Sequence, residues 1–266
     1  MPDYEARHII EAMRSGVPSR IVGRCFSEAR PNLMRHIQSR LDQLQHDGIS
    51  SGMILRGRYG EGKTHLLNTV LALAYERNMA VTFLPLSLES PMDKLHVLYP
   101  AIVNHTYLPG REQPGFLDLL SNLTVTSPQA EEISAFARDE LDCDKCYYLF
   151  RAYLKNMDSD ETAFTLRSDL EGAFMPNGTL KKVYRASFHE IVKYRVNFAK
   201  TFHTIDYIRF ISKLFQVMGI QGWVLLFDEA ELIGRMGKKA RLKAYNNIHR
   251  FLFPAENLVS VLSVFA

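Results

Sequence analysis

The chain has 266 residues, 47% hydrophobic and 23% charged, a globular balance that excludes collagen-like, low-complexity and wholly disordered chains. No apolar run approaches the roughly 18 residues of a membrane span, and the N-terminal MPDYEARHII carries acids and no long apolar stretch, unlike a secretory signal. Three cysteines cannot staple a fold of this size, which fits a reducing, cytoplasmic setting, and 32 basic against 29 acidic residues make no case for nucleic acid by net charge.

The spacing predicts a first helix over Tyr4–Arg14, stopped by Ser15-Gly16-Val17-Pro18, and a second over Arg30–Gln45 with Leu33, Ile37, Leu41 and Leu44 on one face. A strand over Gly52–Arg56, a glycine-rich turn, an apolar helix over Lys63–Arg77 and a strand over Ala80–Leu86 compose a β-α-β unit. The continuous apolar character of the strands implies a sheet covered on both faces. Helices follow over Pro91–His105, Gly115–Leu123, Pro128–Leu141, Lys145–Lys155, Asp160–Gly172, Leu180–Tyr194 and Phe202–Met218. Strands return at Trp223–Phe227 and Leu258–Phe265. The expected organisation is N-terminal helices and a linker over 1–50, the β-α-β unit over 51–88, a helical insertion over 89–200 and the second half of the core over 201–266. The fold class is a three-layer α/β P-loop NTPase with a parallel sheet, its insertion lying between the second and third core strands.

Gly57-Arg58-Tyr59-Gly60-Glu61-Gly62-Lys63-Thr64 matches G-x-x-x-x-G-K-[ST] between a strand and a helix. Glycines let the backbone curl so that successive N–H groups point at phosphate oxygens, and the helix N-terminus adds partial positive charge. Lys63 reaches the β- and γ-phosphates of ATP and the Thr64 hydroxyl ligates Mg²⁺ in such a loop. His65 lies at the end of the loop, with no chemical role. Val224-Leu225-Leu226-Phe227-Asp228-Glu229 ends an apolar strand in two carboxylates at the sheet edge where open α/β folds bind ligands. Asp228 suits the Thr64-bound Mg²⁺ and Glu229 suits the base for an attacking water. There is no N-K-x-D guanine reader, and position 231 is Glu rather than the Gly of a GTPase switch. Asp228-Glu229-Ala230-Glu231 looks like a helicase motif, but the chain has no room for a second helicase lobe. What remains is an ASCE-type ATPase, with AAA+ the favoured branch.

Two resemblances narrow this. Pro18-Ser19-Arg20-Ile21-Val22-Gly23-Arg24 with Glu28 resembles the lead-in of initiator-type AAA+ ATPases, which implies that Ile21 and Val22 contact adenine and that Gly23 permits close approach. His8 to Pro18, GRYGEGKTHLL, Leu170-Glu171-Gly172 before a basic helix, and FDEAELIGR resemble the BrxC/BrxD family of P-loop ATPases of BREX phage-resistance systems. That resemblance implies ATP-dependent work with other defence-system proteins in an assembly acting on DNA, with homo-oligomerisation a further option. The chain ends at Val264-Phe265-Ala266 within an apolar strand, so the fifth strand, polar sensor and lid of an AAA+ core are expected beyond Ala266. An ATP-gated assembly switch with negligible turnover is the alternative, and the base at Glu229 favours the enzyme.

Charge is unevenly spread. Residues 131–171 hold eleven acids against five bases, while Lys181–Lys200 holds six bases against one acid and interleaves them with Tyr184, Phe188, Tyr194 and Phe198. Bases with aromatics are what nucleic-acid binding uses, but Tyr184, Phe188, Ile191 and Phe198 also fit one packed helical face. Arg235, Lys238, Lys239, Arg241 and Lys243 could reach DNA, a neighbouring subunit's phosphate or solvent. Cys143-Asp144-Lys145-Cys146 has no second pair for zinc, and surface or partly buried thiols on a helix are the expected reading.

Overall fold

The computed structural model describes residues 30–58, 60–254 and 258–266. The helix expected over Tyr4–Arg14 lies outside them. Helix α1 (Pro31–Asp47) starts with Pro at its first position, where no N–H is needed, and stops at Gly48 in the left-handed region. It buries Met34, Ile37, Leu41 and Leu44. Strand β1 (Ser51–Ile54), α2 (Lys63–Glu76) and β2 (Ala80–Pro85) give the expected β-α-β unit, with β4 (Trp223–Asp228) and β5 (Val261–Phe265) completing the parallel part of the sheet.

The sheet order is β1-β5-β4-β2-β3, and β1, β5, β4 and β2 run parallel. The sequence suggested a parallel sheet, but the observed sheet is not wholly parallel. Thr106–Tyr107 forms a short antiparallel edge strand, β3, against Val81 and Thr82. A buried polar chain fixes it: the Trp223 indole N–H donates to Thr82 Oγ1 at 2.9 Å, Thr82 and Thr106 hydroxyls lie 2.7 Å apart, and Thr106 donates to the Ile102 carbonyl. Buried hydroxyls need such partners, so β3 is held by its side chains as much as by its ladder.

Side chains alternate across the strands, as the two-residue pleat requires. Val81, Val224, Leu226, Leu262 and Val264 face α1 and α2, whereas Leu84, Trp223, Leu225, Phe227, Val261 and Phe265 face the other helices. On that second side lie α3 (Leu95–Asn104), α4 (Pro128–Asp139), α5 (Lys145–Lys155), α6 (Asp160–Ser168), α7 (Asn177–Phe188) and α8 (Lys200–Val217). These helices share one core with that sheet face. The chain is thus mixed α/β, with helical layers on both sides of a sheet.

Three expected helices differ. The helix from Pro91 begins at Leu95, because Pro91 to Lys94 makes a turn closed by the Lys94 N–H to the Pro91 carbonyl. Gly115–Leu123 contains only a 3₁₀ turn over Leu117–Leu120, after Gly115 at φ +124°. The helix expected to run to Tyr194 stops at Phe188, where His189 takes a left-handed conformation. A further helix, α9 (Lys238–Leu252), was not anticipated.

Inside the helical region, Lys145 and Asp169 form an ion pair of 2.8 Å with both side chains fully buried. The Lys145 ammonium also donates to the Met175 carbonyl and lies 4.3 Å from the centre of the Phe198 ring. Asp169 accepts from the Tyr207 hydroxyl and the Met175 N–H. Removing one member of a buried pair strands the other charge, which costs about 3–5 kcal/mol. Lys145→Met should therefore lose stability of that order in urea unfolding. A loss under about 1 kcal/mol, as for an exposed pair, would contradict the burial described.

Candidate functional site

Because β1, β4, β5 and β2 are parallel, their C-terminal ends share one edge of the sheet, and two segments meet there. The first is the turn from β1 into α2. Gly60 and Gly62 stand at φ +81° and +79°, a region costly for residues with a Cβ, so both glycines are needed for the backbone path alone. The turn delivers the chain into α2 at Lys63, whose first N–H groups have no partners within the helix. The Lys63 ammonium rests 3.3 Å from the Gly57 carbonyl. The Arg58 N–H donates to Glu61 Oε2 at 2.9 Å, which braces the turn across its base.

The second segment is the end of β4. Asp228 is buried, and both carboxylate oxygens are held: Oδ2 accepts from the Thr64 hydroxyl at 2.7 Å and Oδ1 from the Glu229 N–H at 2.9 Å. Glu229 is exposed and sits at φ +60°, an unusual conformation for a side-chain-bearing residue. It marks the sharp turn from β4 into the 3₁₀ segment Ala230–Arg235, pinned by the Ala230 N–H to the Ala266 carbonyl at 2.7 Å. A hydroxyl and a carboxylate side by side are hard oxygen donors of the kind that Mg²⁺ takes beside phosphate oxygens and water. No cluster of three or more His, Cys, Asp or Glu able to hold a metal occurs among the described residues.

The structure thus brings Lys63, Thr64, Asp228 and Glu229 to one edge, with Gly57, Arg58, Gly60, Glu61 and Gly62 in the turn beside them. His65 lies on α2 with a buried Nδ1 that has no hydrogen-bond partner among the described residues. Tyr59, Ile21, Val22 and Gly23 lie outside the described residues. Sequence reasoning missed Arg30, whose guanidinium donates to the Glu61 carbonyl at 2.6 Å and ties the start of α1 to the turn. No local pattern signals a contact between residues this far apart in the chain.

The other constellations are placed as follows. Cys143 and Cys146 are both free thiols and, rather than at the surface or partly buried as expected, both are fully buried, Cys143 in the turn before α5 and Cys146 on it. Burial pushes the Cys143 thiol up to about 11 and raises Cys146 well above its ordinary value. Their turn is held by Asp206, which accepts from the Asp142 and Cys143 N–H groups. Burial also raises the Asp206 carboxyl above its usual range. In the Lys181–Lys200 stretch the aromatics are already engaged: Tyr184 is buried and stacks on Phe188 at 4.5 Å, Lys181 lies over Tyr194, and Phe198 packs under Lys145. Of these rings only Tyr184 is fully buried, while Phe188, Tyr194 and Phe198 are half-buried. Arg235 lies in the 3₁₀ segment, while Lys238, Lys239, Arg241 and Lys243 lie on α9.

Architecture and site together describe a mixed α/β protein with a glycine turn and a held carboxylate converging on one sheet edge. The family of BREX system ATP-binding proteins BrxC/D matches residues 1–142 and 185–256, most of the chain, and the chain belongs to that family. An ATP-binding role in BREX defence comes with that membership. Comparison with curated proteins and with solved structures gives no match. No helix among the described residues is long and apolar enough to cross a membrane.

Two outcomes test this geometry. Arg30→Met should lower folding stability by about 1 kcal/mol, the worth of one hydrogen bond, and weaken ATP binding as the turn loosens; an unchanged unfolding midpoint with unchanged ATP affinity would show that the tether does not shape the turn. Cys143 and Cys146 should stay unmodified by iodoacetamide in the native chain near neutral pH and react on unfolding. Rapid native labelling of either would contradict their burial.

Proposed function

We propose that the chain is a Mg²⁺-dependent ATPase of the P-loop, AAA+ type that works alongside other proteins of a BREX defence system. The observation that carries this reading is the 2.7 Å hydrogen bond from Thr64 to Asp228. It joins the turn motif to the strand-end carboxylate through the two oxygen donors that a metal–phosphate complex requires.

On this reading the amides of 57–64 and the N-terminus of α2 receive the phosphates, and Lys63 leaves the Gly57 carbonyl to pair with β- and γ-oxygens. Thr64 and Asp228 would hold the metal. A magnesium ion held there would supply charge neutralisation at the phosphate oxygens. Glu229 is exposed while Asp228 is buried, so the two neighbouring acids divide the work. Asp228 stays fixed by its two hydrogen bonds, and Glu229 is free to accept a proton from an attacking water. The left-handed turn at Glu229 aims its side chain differently from the strand alternation, which supports a separate role.

The test uses three variants of the intact protein. Lys63→Ala should weaken ATP binding about 10- to 100-fold, the range for a lost charged hydrogen bond. Asp228→Asn should remove the Mg²⁺-dependent part of that binding. Glu229→Gln should keep Mg²⁺–ATP affinity and cut phosphate release by about 10²–10⁴. ATP affinity unchanged in a folded Lys63→Ala chain would overturn the site. Parent-rate hydrolysis by Glu229→Gln would move the base elsewhere.

A further inference from the structure

Helix α9 has five Lys or Arg residues and His249 but no acid. Only Ala244 and Phe251 are buried. Phe251 packs against Phe227 and Phe265, and the Asn247 amide donates to the Met92 carbonyl at 2.8 Å. The helix end lies so close to β1 that a Cβ on Gly52 would sit 2.4 Å from the Leu252 Cα. One side of α9 is therefore firmly seated.

The other side carries two parallel rows. At 3.6 residues per turn, Lys238, Leu242, Tyr245 and His249 fall on one line that continues to Phe253 just past the helix. Leu242, Tyr245 and Phe253 are 61%, 51% and 64% exposed, and the His249 ring packs on Phe253 at 4.9 Å. Beside this line run Lys239, Lys243, Asn246 and Arg250, also exposed, and none of the four has an ion pair or side-chain hydrogen bond among the described residues. Like charges at helical spacing repel one another. A row of cations with no acid on its own helix is unfavourable in isolation and is relieved by a polyanion.

The chemistry selects the partner. An apolar protein surface would cover the rings but strip water from unpaired cations, which is costly. A phosphate backbone neutralises the cation row over the roughly 16 Å from Lys239 to Arg250. Exposed rings next to it offer stacking for bases whose faces are open, which a single strand has and a duplex conceals. We propose that α9 is a binding surface for single-stranded nucleic acid, with the backbone along Lys239, Lys243, Asn246 and Arg250 and bases against Tyr245 and Phe253. The proposal is independent of the ATPase reading.

The test is fluorescence anisotropy of a labelled oligothymidylate titrated with the full chain over a series of salt concentrations, without nucleotide. Replacing Lys239, Lys243 and Arg250 together by Ser should flatten the slope of log affinity against log salt by about 2, three phosphate contacts' worth. Replacing Tyr245 and Phe253 by Ser should weaken binding at least about fivefold per ring and leave the slope unchanged. A duplex should be insensitive to the ring variant. Circular dichroism and the unfolding midpoint check that both variants fold, and ATP affinity should match the parent. The proposal fails if the parent chain shows no salt-dependent binding, if the triple variant keeps the parent slope, or if the ring variant binds the single strand as well as the parent. It also fails if the triple variant dissociates a dimer in sedimentation with oligonucleotide affinity unchanged, since the face would then serve a second copy.

Discussion

The bond from the Thr64 hydroxyl to the Asp228 carboxylate spans 164 residues of sequence, and most of the architecture is what makes it possible. Thr64 opens α2, and Asp228 closes β4. They meet only because β1 and β4 are parallel and flank β5, so that both chains reach the same edge at the same height. A one-residue slip in β4 would turn Asp228 into the opposite layer. The register Phe227 to Phe265 and Leu226 to Val264 prevents that slip by committing alternate side chains to different cores.

Parallel strands place a second demand on the chain. Both faces of such a sheet must be covered. The layer made by α1 and α2 comes from short segments beside the turn. The opposite layer comes mainly from the long helical stretch between β2 and β4, joined by α9, and it shares its core with Trp223, Leu225 and Phe227. Within that layer the chain tolerates a fully buried ion pair because Lys145 and Asp169 each find further partners in Met175, Phe198 and Tyr207. The π-helical segment Asp169–Ala173 follows directly, so the pair also fixes where α6 gives way to the turn before α7.

Much of this was legible in the sequence, for identifiable reasons. The turn of 57–64 announces itself because glycine is the residue that reaches the backbone angles found at Gly60 and Gly62. Strand β4 is legible because six successive residues are buried on both faces, and its acids stand where the apolar run stops. What was missed depends on contacts that local pattern does not carry. Strand β3 is too short to show a period, and its hold comes from the Thr82–Thr106–Trp223 chain. Helix α9 buries only Ala244 and Phe251, so its apolar period is nearly absent. Lys145 reads as a solvated lysine until Asp169 and Tyr207 are brought to it. The Arg30 tether joins segments that only the folded chain makes neighbours. Basic residues interleaved with aromatics at Lys181–Lys200 fit two readings, and burial assigns only Tyr184 to the packed face.

The central claim is that Thr64 and Asp228 face one metal ion bound together with ATP. Iron-mediated backbone cleavage tests it most directly, with Fe²⁺ in place of Mg²⁺ and peroxide generating radicals at the metal. The account predicts ATP-dependent cuts confined to the chain next to Thr64 and next to Asp228, both suppressed by excess Mg²⁺. Cuts at only one of the two segments, or cuts elsewhere that ATP does not influence, would contradict it.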